Sequence, residues 1–144
     1  MSDVHNRSVR SYNMSRIKGR DTKPELIVRK FLHSRGLRYR LHRKDLPGKP
    51  DLTLKKYQAV IFIHGCFWHG HEGCSYFSAP KTNTEWWLSK IYSNKKRDES
   101  ARQSLESAGW KVIVIWECEL KKPRRIETLE WLLDEVRQAK NNLR

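Results

Sequence analysis

The apolar run Ala59-Val-Ile-Phe-Ile63 is followed directly by His64-Gly-Cys-Phe-Trp-His-Gly-His-Glu-Gly-Cys74. An apolar run of this length without polar alternation is typical of a central strand that is buried on both faces. The eleven residues after it contain three histidines, two cysteines and two adjacent aromatic residues. The pattern predicts a buried strand that leads into a loop rich in metal ligands and candidate catalytic groups.

Helix and strand signals on both sides of this strand predict one α/β unit. Thr22-Lys-Pro-Glu25 is a capping box that opens a helix, and Gly36 ends that helix. The elements are expected in this order: a helix over 22–36, strands over 37–42, 51–54 and 59–63, a helix from Asn83 or Thr84 to Ser107, a strand over 110–118 and a helix over 124–141. We expect Ile126 on the inward face of the last helix and the following residues in the core or in packing contacts: Trp86, Trp110, Trp116 and Trp131.

Composition and charge point to a nucleic-acid partner. The 144 residues carry 30 Lys and Arg against 16 Asp and Glu, which gives a formal charge of +14 and a pI near 10.0. Such an excess favours binding to a polyanion through phosphate contacts. No apolar run reaches membrane-spanning length, and the first residues lack the apolar region of a signal peptide, so we expect a cytoplasmic protein without membrane contact. Residues 1–20 are predicted to form a basic, DNA-contacting arm, and residues 21–144 to form a single domain.

The cysteines predict a structural zinc site. Three cysteines are an odd number, and no export signal is present, so a disulfide framework is not expected. Three thiolates and one imidazole make a closed tetrahedral zinc site, and Cys66, His71 and Cys74 lie close enough in sequence to share one ion. Cys118, at the end of a later strand, completes the set. Three unrelated buried thiols are the alternative.

The predicted order αβββαβ is that of the PD-(D/E)xK nucleases, which share a restriction-endonuclease-like fold. Pro50-Asp51 stands where that superfamily has its first acidic residue, on a strand that hairpins into the central one. Antiparallel pairing of these two strands brings Asp51 close to His64. A carboxylate at a strand end is a ligand for Mg²⁺, which phosphodiester hydrolysis most often requires. The usual Glu-x-Lys is absent, because Phe62-Ile63-His64 occupies its place.

This departure, together with motifs along most of the chain, resembles the very short patch repair (Vsr) DNA mismatch endonucleases. His64-Gly-Cys-Phe-Trp-His69 is the most specific of these motifs. The supporting matches are Asp3-Val-His5, Arg10-Ser11, Asn13-Met14, Arg20-Asp-Thr22, Leu46-Pro-Gly48, Pro50-Asp51, Trp87-Leu-Ser-Lys-Ile91, Asn94, Arg97-Asp98 and Trp116-Glu-Cys118. The resemblance implies an enzyme that nicks the strand 5′ of the mispaired T at T·G mismatches, which arise by deamination of 5-methylcytosine.

The resemblance also implies roles for residues near the central strand. Asp51 falls on the family's magnesium ligand, with the main-chain carbonyl of Ile63 as a further ligand. His69 is expected to be the general base, and His64 to contact the scissile phosphate or a metal-bound water. Glu25 falls on an acidic residue of the family's site, but it is also the capping-box glutamate, so catalysis and capping both stay open.

The family's zinc ligands carry over as the four residues named above. The two residues Glu72-Gly73 separate His71 from Cys74, which is one residue more than the family pattern has. A zinc ion bound there would hold the glycine-rich loop that carries the candidate base His69.

Aromatic residues of the loop and of the following helix are candidates for a wedge inserted into DNA. Adjacent residues of an extended segment point to opposite sides, so Phe67 and Trp68 cannot easily both be buried. Aromatic wedges read deformable, mispaired base steps by unstacking them. The resemblance adds Trp87 and, from the arm, Met14; burial on an amphipathic helix is the alternative for Trp87. The same helix carries further candidates for DNA contact, or else a solvated stripe, in Lys90, Asn94, Arg97 and Asp98.

The sequence therefore predicts a monomeric, Mg²⁺-dependent and zinc-stabilised endonuclease that nicks double-stranded DNA at T·G mismatches. Two alternatives stay open: a restriction-like endonuclease that needs no mismatch, and a zinc-stabilised nucleic-acid-binding module that cleaves nothing. The resemblance further implies mismatch-repair proteins as partners and a functional association with a cytosine-5 DNA methyltransferase. It implies a bacterial, cytoplasmic enzyme that associates with the nucleoid when it acts.

Overall fold

The structure is a computed structural model that describes residues 21–75 and 77–141. The predicted arm over 1–20, including Met14, lies outside these residues. The described elements are helix α1 (Lys23–Ser34), strands β1 (Arg40–Leu41), β2 (Leu52–Leu54) and β3 (Ala59–His64), helix α2 (Thr84–Ser107), strand β4 (Lys111–Trp116) and helix α3 (Arg125–Asn141). The mixed α/β class and the order of these elements are as the sequence predicted. None of the helices in the described ranges has the length and apolar character needed to span a bilayer.

The four strands form one sheet in the order β1-β2-β3-β4. The first two pairings are antiparallel, with Leu52 opposite Ile61, and the pairing of β3 with β4 is parallel, with His64 opposite Trp116. The start of β2 therefore meets the ends of β3 and β4 at one edge of the sheet. The predicted approach of Asp51 to the end of the central strand is confirmed.

Helix α1 begins where the capping box predicted. Thr22 is the N-cap, and its Oγ1 accepts a hydrogen bond of 3.4 Å from the backbone N–H of Glu25. Pro24 lies in the first turn, and Gly36 follows the last turn with a φ of 81°, a conformation that glycine adopts without strain. The helix buries Val28 and Leu32 in the apolar cluster that also contains Ile61 and Ile115 of the sheet. Its placement brings Glu25 to the edge of the sheet where Asp51 lies.

Apolar side chains cover the two faces of the sheet unequally. The face toward α1 and α3 has the larger cluster, in which Ile61 and Ile115 of the strands pack with Leu32 and Leu132 of the helices. The face toward α2 has a smaller cluster, whose buried members are Val60, Phe62 and Leu105. The larger cluster forms the main core, and the smaller one leaves room for polar groups at the end of β3.

Two predicted strands are shorter than expected. Alternation predicted a strand over 37–42, but only Arg40 and Leu41 pair with β2. His42 has a φ of 49°, which lies in the left-handed region and turns the chain out of the strand. The strand predicted over 110–118 covers 111–116, because residues 117–120 form a 3-10 helix.

Three large apolar residues are exposed where the sequence predicted packing. Trp86 is 57% exposed, since it is adjacent on the helix to Trp87 and the two side chains cannot face the same way. Trp131 is 46% exposed because the next two residues of α3 occupy the buried face. Ile126 is 71% exposed in the first turn of α3, and burial of that helix begins only at Thr128.

Candidate active site

Asp51 is held at the start of β2 by the neighbouring strand. Its Oδ2 accepts a hydrogen bond of 2.7 Å from the backbone N–H of Ile63. The N–H and C=O of one strand residue point to the same side, so the Ile63 carbonyl faces the edge that Asp51 occupies. Burial raises the pKa of Asp51 to about 6; the Ile63 N–H opposes this rise, and the nearby charge of Glu25 adds to it. A carboxylate whose charge is so poorly compensated favours a cation beside it.

Two histidines stack at the end of β3. The rings of His64 and His69 are parallel within 4°, with centroids 3.8 Å apart. Burial, reinforced by the neighbouring His69, lowers the pKa of His64 to about 4, so its imidazole is neutral near pH 7. Nδ1 of His64 is buried and has no hydrogen-bond partner among the described residues. This neutral imidazole is placed to interact with a group that the protein itself does not supply.

Asp98 of α2 orients the second histidine. Its Oδ2 lies 2.6 Å from Nδ1 of His69. When the carboxylate accepts the Nδ1 proton, the Nε2 of His69 carries the lone pair and is the basic nitrogen. The arrangement is that of a general base held by a carboxylate, in which Asp98 also offsets the positive charge that forms when His69 takes a proton.

The predicted DNA-contact face of α2 is divided between two roles. Asn94 donates a hydrogen bond of 2.9 Å from Nδ2 to the carbonyl of Trp68, and Asp98 binds His69. These two side chains therefore hold the loop, a role that the sequence did not indicate. Lys90 and Arg97 are exposed, and Arg97 also donates to the Oδ1 of Asn94. The four-residue spacing of Asn94 and Asp98 predicted a shared face, but nothing in the sequence indicated that the loop packs on it.

The loop after β3 is a series of tight turns. The N–H of His69 donates to the carbonyl of Gly65 at 3.2 Å, and the N–H of His71 to that of Cys66 at 2.9 Å. Gly70 has a φ of 59°, and a Cβ there would lie 2.6 Å from Cγ2 of Ile91. Only glycine therefore allows the loop to lie this close to α2.

The loop aromatics pack together rather than apart. The rings of Phe67 and Trp68 meet edge to face at 5.4 Å, which corrects the expectation of an extended segment with opposed side chains. The centroid of the Trp87 ring lies 5.6 Å from that of Phe67 and 5.7 Å from that of Trp68, and all three side chains are half-buried. The exposed Trp86 packs on Trp87 at 4.8 Å. Three of the four predicted wedge residues thus form one aromatic cluster, while Met14 lies outside the described residues.

The four predicted zinc ligands converge. One donor atom from each of Cys66, His71, Cys74 and Cys118 lies within 4.8 Å of the others, and none of the cysteines forms a disulfide. Gly73, with a φ of 70°, turns the chain so that the longer spacing between His71 and Cys74 is accommodated. Burial raises the pKa of Cys66 to about 12 and also raises that of Cys118. Buried thiols of this kind become thiolates only beside a cation, and a Cys3His donor set fits zinc.

Trp116, at the end of β4, lies between this Cys3His cluster and the paired histidines. The ring of His71 stacks on Trp116 with centroids 4.0 Å apart and planes within 4°, and the Trp116 ring meets His64 edge to face at 5.2 Å. A cavity of about 290 Å³ opens beside them between the sheet and α2. The cluster and the histidines are therefore parts of one packed unit.

Glu25 has one carboxylate oxygen for each of its two predicted roles. Its Oε1 accepts the backbone N–H of Asp21 at 3.3 Å, in the manner of a helix cap. Its Oε2 lies 3.1 Å from Nε2 of His42 and 3.1 Å from Nη1 of Arg29. His42 was missed in the sequence, because strand alternation made it one of several basic residues on an outer face.

Comparison with known proteins agrees with this geometry. Residues 2–75 match the family model described as DNA mismatch endonuclease Vsr. The chain is 41% identical over 146 residues to the DNA mismatch endonuclease Vsr of Escherichia coli K12. The aligned region covers 96% of the chain and 93% of that relative. The chain belongs to the Vsr family of DNA mismatch endonucleases. The resemblance predicted from the motifs is confirmed.

Two further relatives of the chain are named as nicking enzymes. The chain is 49% identical over 140 residues to the Type II nicking enzyme V.NmeAIP of Neisseria meningitidis, covering 96% of the chain and 99% of the relative. It is 46% identical over 120 residues to the Type II nicking enzyme V.XorIIP of Xanthomonas oryzae, and the aligned region covers 83% of the chain and 88% of the relative. As a member of the Vsr family, the chain is a DNA endonuclease.

Proposed function

We propose that the protein is a Mg²⁺-dependent endonuclease that nicks DNA 5′ of the mispaired T at T·G mismatches and so begins very short patch repair. The observation that carries the proposal is that Asp51 is bound to the end of β3, where His64 stacks on the His69 that Asp98 orients, in a chain of the Vsr family. A carboxylate for a hard cation and an oriented imidazole base are the two parts that hydrolysis of a phosphodiester needs.

The chain's residues divide the chemistry between them. Asp51 and the Ile63 carbonyl are the proposed ligands of Mg²⁺, which when bound supplies stabilisation of negative charge on the phosphate. His69 takes a proton from the attacking water at Nε2, and Asp98 holds its tautomer. His64, neutral near pH 7, donates a hydrogen bond to a phosphate oxygen. Glu25 positions the metal side of the site and caps α1 at the same time.

Zinc bound to Cys66, His71, Cys74 and Cys118 is proposed to be structural. A site with four protein ligands leaves no open position for substrate. Its support is the placement of a ligand on each side of the segment that carries His69, since Cys66 precedes that residue and His71 follows it. Fixing both ends of so short a segment limits the movement of the base.

Recognition of the mismatch is proposed to depend on the aromatic cluster of Phe67, Trp68 and Trp87. A T·G pair is easier to unstack than a Watson–Crick pair, so insertion of an aromatic wedge there costs less free energy. Lys90 and Arg97 are exposed on α2 and are proposed to contact the DNA backbone. The basic arm over 1–20, with Met14, is proposed to contact DNA from the other side.

We also propose that residues 21–144 form one endonuclease domain and that the enzyme acts as a monomer in the bacterial cytoplasm. Mismatch-repair proteins and a cytosine-5 DNA methyltransferase are its proposed functional partners. These assignments rest on membership of the Vsr family and on the charge of +14, which favours residence on DNA.

The experiment that tests the function uses an end-labelled duplex, either fully paired or with one T·G mismatch, with and without Mg²⁺. We expect one nick, 5′ of the mispaired T, only in the mismatched duplex and only with Mg²⁺. Asp51→Ala should abolish nicking while keeping binding to T·G DNA within about tenfold. Equal cleavage of both duplexes would favour the restriction-like alternative, and binding without cleavage would favour the non-catalytic module.

A further inference from the structure

His42 lies between two carboxylates of the site. Its Nε2 is 3.1 Å from Oε2 of Glu25, and its Nδ1 is 4.0 Å from Oδ1 of Asp51. The first separation is that of a hydrogen bond, and the second is too long for one. The imidazole therefore spans the space between the two acids while bonding directly to only one of them.

The unequal distances indicate which nitrogen of the His42 ring donates a proton and which one carries the lone pair. An imidazole that donates its Nε2 proton to Glu25 carries its lone pair on Nδ1, where it faces a carboxylate oxygen of Asp51. Two electron-rich atoms that face each other repel unless a proton or a metal cation lies between them, and 4.0 Å is too long for a shared proton. A separation of 4.0 Å lets one divalent ion contact both atoms, because metal–ligand bonds to nitrogen and oxygen are about 2.1 Å long.

The surroundings of His42 fix the ring in this place. Its φ of 49° is uncommon for a residue with a side chain, and its N–H donates to the carbonyl of Asp51 at 3.1 Å. This turn ends β1 and directs the imidazole to the site. Glu25 is only 1% exposed, and Arg29 binds the same oxygen, so the acceptor of the His42 bond is itself held in position.

We propose that Nδ1 of His42 is a ligand of the divalent metal held by Asp51, and that Glu25 orients this histidine. A carboxylate that accepts the second ring N–H is the usual support of a metal-binding histidine. The inference rests on the proposed function, because it concerns the metal of the same site. A nitrogen ligand makes the site favour Mn²⁺ over Mg²⁺ more than oxygen ligands alone would do.

The test is binding of Mn²⁺ alone to the full chain without DNA, followed by titration and by pulsed electron paramagnetic resonance. We expect nitrogen-14 coupling to the bound Mn²⁺ in the wild type and its loss in His42→Asn. The same change should weaken Mn²⁺ binding by about tenfold or more. Asparagine is the chosen replacement because it tolerates the left-handed backbone but does not reach Asp51.

Matched variants separate the possible causes. His33→Asn makes the same change at an exposed position of α1 and should keep both coupling and affinity. Glu25→Gln weakens the orienting bond and removes one negative charge near the metal, so it should lower the affinity severalfold and keep the coupling. Unchanged affinity in Glu25→Gln would contradict the orienting role, whether or not His42→Asn folds.

The outcomes for His42 and for the proposed function are distinct. Nitrogen coupling and affinity that persist in folded His42→Asn would overturn the role of His42, while the Asp51 metal site would stand. Mn²⁺ binding that is insensitive to Asp51→Asn would instead overturn the proposed metal site itself.

Discussion

The two faces of the sheet differ in what fills them. Among the residues that the structure describes, the cluster on the face toward α1 and α3 has fifteen buried apolar members, and the cluster on the face toward α2 has three. On this second face the paired histidines, Asp98 and a cavity of about 290 Å³ take the space that apolar side chains fill on the first. The difference indicates that one face supplies most of the stability and leaves the other free for polar groups that packing alone would not retain.

The Cys3His cluster compensates for the thin packing on the second face. The loop that carries His69 is rich in glycine, and its two aromatic side chains are only half-buried, so chain entropy opposes a single conformation. Coordination of four side chains by one ion fixes such a loop without a large core. The contrast between an apolar face and a ligand-held face can be tested by substitutions on both sides of the sheet.

Removal of the proposed general base, His69, should have the largest effect, and it should lower the rate of nicking without weakening DNA binding. His69→Ala is expected to lower single-turnover nicking of T·G DNA by about 10³-fold or more, with Asp98→Asn losing about 10²-fold. Binding of T·G DNA should stay within about tenfold of the wild type. His33→Ala, an exposed histidine of α1, is the control and should be fully active. Activity of His69→Ala within tenfold of the wild type would remove the base from the mechanism.

Loss of a zinc ligand should disturb both the loop and the fold. Elemental analysis of protein purified without added metal should give one zinc per chain. Cys118→Ser is expected to lose that zinc and to lower the free energy of unfolding by several kcal/mol, because metal binding and folding are coupled. Metal-free wild-type protein that is folded and active would show that the four residues do not form a zinc site.

Truncation of leucines on the two faces compares their packing directly. Leu132 and Leu105 are both fully buried, the first in the large cluster and the second in the small one. Leu132→Ala should cost about 4 kcal/mol and Leu105→Ala about 2 kcal/mol, because Phe62, in the same cluster as Leu105, lines the open cavity and can relax more easily. Urea unfolding at one temperature measures both. Equal costs would mean that the face toward α2 is as tightly packed as the other.

Asp51 should make the magnesium-free protein less stable at high pH. Its pKa of about 6 in the fold lies above the ordinary value of an aspartate, so stability decreases as the pH rises from about 4 to about 6 and stays low above that. Asp51→Asn removes the charge and keeps an acceptor for the Ile63 N–H. The variant should be more stable than the wild type by about 3 kcal/mol at pH 8 and nearly equal to it at pH 4. The same difference at both pH values would exclude the charge as its cause.

Removal of the wedge should have the smallest effect, and that effect should be confined to specificity. Trp68→Ala is expected to reduce the preference for T·G over paired DNA by about tenfold, since stacking on a base contributes about 1–3 kcal/mol. Lys90→Ala should instead lower the salt dependence of binding and spare the preference. Competition binding at several salt concentrations measures both. Equal weakening on both duplexes by Trp68→Ala would mean that this ring only packs the loop.

Local signals in the sequence determined much of the fold. The capping box and Gly36 predicted α1, the apolar run 59–63 predicted β3, and hydrophobic periodicity predicted α2 and α3, with ends close to those observed. These features depend on neighbours within one turn or one strand, which the sequence shows directly. The His64–His69 motif likewise sufficed to recognise the Vsr family.

Tertiary structure alone decided which side chains meet. The pairing of Asp98 with His69, 29 residues apart, depends on which side of α2 faces the loop. The position of His42 depends on a left-handed turn, and the exposure of Trp86 depends on how α2 is rotated. Sequence periodicity identifies a shared face of a helix or strand, but what packs on that face is determined by contacts between residues far apart in the chain.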